Sequence, residues 1–178
     1  RRWVALSVDD VYLDHAAQRR LAAAWPGDPL LAVRGAPGTH DVDLGTRILD
    51  ALARPAGEVR VPRYDKSAHH GQGDRRPEAE WTRVDLPVDR VLFEGWTLGF
   101  APQGAGGPLA NVDERLAGYA AWTERLGALV QMRMADPRSV LRWRVEAEQR
   151  MRASGRPGMS DAEATSMRQV RGSVVAIL

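Results

Sequence analysis

Apolar residues crowd WVALSV at positions 3–8, and Asp9 and Asp10 close the run. This predicts a short buried strand with two carboxylates at its carboxyl end. Asp14 is placed to cap a helix through HAAQRRLAAAW, which Pro26 and Gly27 stop. The next stretch, PGDPLLAVRGAPGTHD, is dense in Gly and Pro and too long for a plain connector. Loops of that length usually carry function or are disordered. In VDLGTRILDALA, Leu44, Ile48 and Leu52 share one helical face, and GEVRVP predicts a second strand leading into the polar stretch VPRYDKSAHHGQGDR.

DRVLFEGW predicts a further strand over 91–94, ended by Gly95. Asn111 and Glu114 have capping-box spacing, and Val112, Leu116, Tyr119, Trp122 and Leu126 recur as on one helix. ALVQMRM alternates as a strand does. Asp136 and Pro137 open a helix that runs through RSVLRWRVEAEQRMRAS to Gly155. Ser160 and Glu163 repeat the capping-box spacing, and RGSVVAIL reads as one more apolar strand. There is no internal repeat and no low-complexity tract. Strands alternating with helices predict an α/β fold with a parallel sheet.

Composition narrows the class. With 178 residues, 44% hydrophobic and 27% charged, the chain is expected to form a single globular domain with a sizeable core. No apolar run approaches membrane-spanning length, and RRWVALSV lacks the layout of a signal peptide. The absence of cysteine excludes disulfides, thiolate metal sites and cysteine nucleophiles. A cytoplasmic enzyme or binding protein fits these features. The net charge is only +2, so the pI of 9.5 overstates basicity, and neither a nucleic acid nor a membrane is expected as partner.

In open α/β sheets ligands bind beyond the carboxyl ends of the strands. If the strand ending in Asp9 and Asp10 neighbours the one ending in Glu94, their carboxylates meet at one edge. Such a group suits a hydrated Mg²⁺ or the removal of a proton from an attacking hydroxyl. The plainer alternative is that these acids cap the turns that follow. Arg138, Arg142, Arg144, Arg150 and Arg152 lie on the long helix. They read either as a solvated face paired with Glu146 and Glu148 or as a phosphate clamp. His69 and His70 point opposite ways on an extended chain and make a poor metal pair. His15 and His40 are isolated, although Pro37 and Gly38 suggest a turn beside His40 that aims a backbone donor. No G-x-S-x-G elbow is present, and the six tryptophans are scattered as packing residues are. Lys66 is the only lysine beside twenty-four arginines. Either codon usage spared it, or an anion there needs a compact, mobile point charge.

Together LSVDDVYL, RGAPGTHD, VPRYDKSAHHGQGDR, VLFEGWTLGF, RWRVEAEQRMR and GMSDAE resemble the plant-type D-glycerate 3-kinases and their microbial relatives. These are P-loop kinases related to uridine kinase, phosphoribulokinase and pantothenate kinase. The motifs keep family order over roughly residues 3–164. The resemblance implies one P-loop kinase-like domain over 1–178, with a parallel sheet flanked by helices. It implies phosphoryl transfer from ATP with Mg²⁺ to a hydroxyl of D-glycerate, or of another small hydroxy acid or alcohol. By motif, Asp9 matches the base toward the acceptor hydroxyl and Asp10 is its neighbour. Tyr12 and Tyr64 match substrate-side aromatics, and Lys66, Arg63 and Arg75 line the acceptor pocket. Glu94 matches the carboxylate near Mg²⁺, and Arg142 and Arg144 fall in the lid helix over the phosphates.

The sequence departs from the family in three places. It holds no G-x-x-x-x-G-K-[ST], the loop whose backbone donors, lysine and hydroxyl cradle phosphates. The family places that loop after a strand upstream of residue 1, so a sheet incomplete at its N-terminal side and a chain incomplete for catalysis are expected. Residues 165–178 diverge, and SVVAIL at 173–178 is the candidate to replace the missing strand. Gln72 stands where relatives often have arginine. A kinase-derived remnant that binds a metabolite or partner without catalysis is the alternative from another class.

Overall fold

The computed structural model describes residues 1–131 and 139–155. In β1 (Trp3–Ser7) only Leu6 turns fully inward, while Trp3 and Ala5 stay exposed on the opposite face. A 3₁₀ turn, Val8–Val11, follows directly, and its start is capped by Ser7 Oγ, which accepts the Asp9 N–H at 3.2 Å. Asp14 caps α1 (His15–Ala24) by accepting the Ala17 N–H at 2.7 Å, and Asp41 caps α2 (Val42–Leu52) through the Leu44 N–H at 2.9 Å. The α2 face of Leu44, Ile48 and Leu52 is buried, as its spacing predicts.

The remaining strands are β2 (Gly57–Val61), β3 (Tyr64–Asp65), β4 (Asp74–Arg75), β5 (Thr82–Leu86) and β6 (Arg90–Glu94). β1 and β6 pair in parallel, with Trp3 opposite Arg90 and Ser7 opposite Glu94. β2 pairs antiparallel with β5, placing Val59 opposite Val84 on the buried side. β3 and β4 form a two-residue antiparallel ladder that closes the loop carrying Lys66. Beyond β6 come α3 (Ala110–Arg115), a 3₁₀ turn over Leu116–Tyr119, and α4 (Ala120–Thr123). Arg1–Val130 makes one compact unit, and α5 (Ser139–Ala153) belongs to a second. Among the described residues no helix is long and apolar enough to cross a membrane.

Four expectations are corrected. TRVDL forms β5 although only Val84 is fully turned inward, too weak an alternation to stand out. The single helix expected from Val112 to Leu126 is broken into α3, a 3₁₀ turn and α4 around Gly118, whose lack of a side chain weakens a helix interior. Asn111 does not cap it; its amide donates instead to Asp28 at 2.9 Å. Residues 128–131 form no strand. The rest of that segment, the Asp136 and Pro137 helix start, the Ser160 and Glu163 pair and the SVVAIL strand lie outside the described residues.

Trp122 is fully buried, donates its indole N–H to the Val42 carbonyl at 3.0 Å and meets Phe93 edge-on at 5.4 Å. Gly45 of α2 makes room for it. A methyl group there would sit 2.6 Å from Trp122 Cζ2 and 2.8 Å from its Cε2 and Nε1. Gly45→Ala is therefore expected to destabilise by about 1–3 kcal/mol, because overpacking outweighs alanine's helix preference of about 1 kcal/mol. Urea unfolding checks this; a variant as stable as the parent would show that the tryptophan yields at no cost.

Candidate active site

Parallel pairing of β1 and β6 brings the carboxyl ends of both strands to one edge, so Asp9 and Asp10 leave the sheet beside Glu94. The 3₁₀ turn then separates the two aspartates, since successive residues on it point about 120° apart. Asp9 Oδ2 accepts the Lys66 ammonium at 2.6 Å, and the Tyr12 side chain also hydrogen-bonds to this carboxylate. Asp10 Oδ2 accepts Arg63 Nη1 at 2.9 Å, and its Oδ1 accepts the Tyr64 backbone N–H at 3.3 Å. Burial pushes the Asp9 carboxyl up most strongly, yet the bond and charge of Lys66 together with the Tyr12 bond hold it below the ordinary carboxylate range. Asp10 ties the start of β3 to the strand end, whereas Asp9 meets only mobile or aromatic partners.

Arg75 works at the back of this group. Its Nη2 donates to the Tyr12 carbonyl at 2.7 Å and to Asp41 Oδ2 at 3.1 Å. There the segment after the 3₁₀ turn meets the long loop before α2: Leu13 donates to the Thr39 carbonyl at 3.0 Å and Asp41 to that of Val11 at 2.8 Å. Arg63 and Arg75 are thus committed to protein acceptors. Lys66, with its side chain 58% exposed, is the cation that faces solvent at Asp9.

The Tyr12 ring stacks on His40, with centroids 4.3 Å apart, and meets Tyr64 edge-on at 5.3 Å. His40 is 4% exposed, and its Nδ1 lies 2.6 Å from the Tyr119 hydroxyl, which accepts the Gly38 N–H at 2.9 Å. One proton is shared between Nδ1 and the Tyr119 hydroxyl, which ties the imidazole to the turn at Gly38. Nε2 is buried with no hydrogen-bond partner among the described residues. Burial pushes the His40 pKa down to about 3, although the nearby Asp9 charge pulls it upward, so the ring is neutral.

Sequence reasoning missed Arg34. From the long loop it donates to the Gly71 carbonyl at 2.7 Å, to the Lys66 carbonyl at 3.3 Å and to the Gln72 carbonyl, with its guanidinium 5.8 Å from the centre of the Tyr64 ring. Only the length of its loop signalled function. His69 and His70 are not extended but left-handed, at φ 50° and 58°. His69 stacks on His15 at 3.7 Å and lies 3.0 Å from Asp74 Oδ2, so the histidines fold the Lys66 loop onto α1. Of the other expected residues, Glu94 is exposed at the β6 end, and Arg142 on α5 lies 3.8 Å from Glu146. The side chain of Arg144 lies outside the described residues.

Among the described residues no three His, Asp or Glu side chains converge as a metal cage. A lone exposed carboxylate such as Glu94 fits Mg²⁺ that keeps its waters and rides on phosphates. A surface depression of about 310 Å³ borders the Lys66 loop at Ala68, Asp74 and Arg75, and another of about 360 Å³ lies at Arg60, Glu78 and Ala79. Neither is lined by Asp9. Converging charge marks the site.

No family model matches the chain. The chloroplastic D-glycerate 3-kinase of Arabidopsis thaliana is 41% identical over 174 residues, which cover 92% of this chain and 38% of that protein. A probable ATP-dependent kinase of Saccharomyces cerevisiae is 31% identical, over 88% of this chain and 59% of its own length. The solved structure of a D-glycerate 3-kinase from Cryptococcus neoformans superposes with a TM-score of 0.86 at 30% identity, over 93% of this chain and 65% of that one. The chain thus spans less than two thirds of the length of each of these relatives. The matched fold is the kinase sheet flanked by helices, with β1 and β6 as its parallel pair. In sequence and in backbone course alike, the chain is similar to D-glycerate 3-kinases and to related kinases over the part of their length that it spans.

Proposed function

We propose that these residues form the acceptor side of an ATP-dependent kinase that phosphorylates a hydroxyl of D-glycerate. One observation carries the reading: a carboxylate and an exposed ammonium 2.6 Å apart at the carboxyl end of a parallel strand. D-glycerate offers a matching pair, a hydroxyl to give up a proton and a carboxylate to meet a cation. The names of the relatives supply the substrate and the nucleotide.

In this reading Asp9 takes the proton of the attacking hydroxyl, and the Tyr12 side chain orients its carboxylate. Lys66 receives the acceptor's carboxylate. Arg63 and Arg75 lend positive potential while holding Asp10 and the Tyr12 segment in place. Tyr64 closes the aromatic side of the acceptor site. Glu94 would hold Mg²⁺, which when bound neutralises charge on the phosphates; Arg142 and Arg144 are proposed as phosphate residues on their family motif alone. Calorimetric titration of this chain with D-glycerate, together with ADP release by the complete gene product, tests the proposal. Saturable binding and D-glycerate-dependent ADP formation are expected. Transfer to a different hydroxy acid or to a neutral polyol in preference to D-glycerate would overturn it.

A further inference from the structure

The Asp9–Lys66 contact conflicts with the task of each partner. A carboxylate that accepts an ammonium at 2.6 Å and a tyrosine bond besides has its charge balanced and its affinity for a proton reduced. Lys66, for its part, is neutralised and has little pull on an incoming anion. As they stand, each blocks the other.

Parting them costs little. The side chains are 58% and 34% exposed, so water replaces much of what each loses on parting. The lysine stem is flexible, whereas the loop backbone beneath it is pinned by Arg34 at Lys66, Gly71 and Gln72, so the ammonium can swing without moving the loop. Asp9 without Lys66 is left with burial, the largest influence on it, which raises its proton affinity. Its other neighbours do not replace the lost charge. Tyr12 and the neutral His40 carry none, and Arg63 is spent on Asp10.

We infer that the Asp9–Lys66 ion pair is a latch opened by the acceptor's own carboxylate, which draws Lys66 away and so frees Asp9 for the acceptor's hydroxyl. An acid with a neighbouring hydroxyl arms the base; a neutral polyol of the same shape leaves it shut. This rests on the assignment of Asp9 and Lys66 made above and adds how the site discriminates.

Lys66 is the only lysine, so protein labelled with ¹³C at lysine Cε gives one lysine side-chain signal. D-glycerate is expected to move it to saturation, while glycerol, with the same carbon chain and no carboxylate, leaves it in place. In Asp9→Asn the competing anion is gone, so D-glycerate should bind tighter, by about 2–5-fold for a pair worth up to about 1 kcal/mol. Lys66→Met should bind D-glycerate and glycerol alike. Equal responses to both ligands in the parent protein, or weaker D-glycerate binding by Asp9→Asn, would overturn the latch. The two readings fail separately. Phosphoryl transfer to D-glycerate with an unmoved lysine signal removes the latch and keeps the kinase. A signal moved by D-glycerate alone, without transfer by the complete gene product, keeps the latch and removes the kinase.

Discussion

On the reading proposed above, Asp9→Asn is expected to lower kcat for D-glycerate phosphorylation by the complete gene product about 10²–10⁴-fold, while KM falls by no more than about 5-fold. Asparagine keeps the size of the side chain and an oxygen that accepts from Tyr12, and Lys66 remains to meet the acceptor's carboxylate, so the acceptor is still positioned. It cannot take a proton. The effect therefore falls on the chemical step, which a comparison of kcat with KM reads directly. Near-normal turnover would remove Asp9 from the mechanism. Asp10 is then a poor heir, because Arg63 and the Tyr64 N–H occupy its oxygens.

The second large effect is on stability. His40 is held neutral in the folded protein down to about pH 3, whereas its ordinary value is 6.5. Between those values the unfolded chain binds the extra proton, so stability rises with pH there, by up to about 1.4 kcal/mol per unit. The contribution is intact above about 6.5 and is lost as pH falls below it. From pH 6.5 to 4.5 the loss amounts to about 2–3 kcal/mol. Carboxylates such as Asp9, whose acidity is raised, weaken the protein on the same side, so the slope alone does not isolate His40. His40→Asn does, since it keeps an acceptor for Tyr119 and has nothing to titrate. Its unfolding free energy should fall less steeply with acid than that of the parent. Parallel curves for the two proteins would show that His40 charges in the folded state as easily as in the unfolded one.

What was legible in the chain is what is local. Asp9, Asp10 and Glu94 stand at the ends of short apolar runs, and the rule that strand ends carry chemistry places them together once β1 and β6 are neighbours. The buried face of α2 is written in its spacing, and the Asp14 cap in its position before α1. β5 escaped because too few of its residues turn inward. The pairings that define the site span long stretches of chain: Lys66 and Asp9 are 57 residues apart, and Tyr119 and His40 are 79. No periodicity reports such contacts. The family resemblance placed Lys66 on the acceptor side without its partner. His40, a lone histidine in a turn, had no mark of the hydroxyl that fixes it. The histidine pair misled because extended backbone was assumed where the chain is left-handed.

The grip of Arg34 falls on main-chain oxygens, those of Lys66, Gly71 and Gln72. Such a grip is blind to the side chains of the residues it holds. Replacements at 66 and 72 would leave this main-chain grip in place. Arg34 itself has no such freedom, since no other side chain supplies several donors from one rigid plane. On the proposed reading of Lys66, acceptor preference can therefore change with the side chain at position 66 alone, while Arg34 goes on presenting whatever stands there.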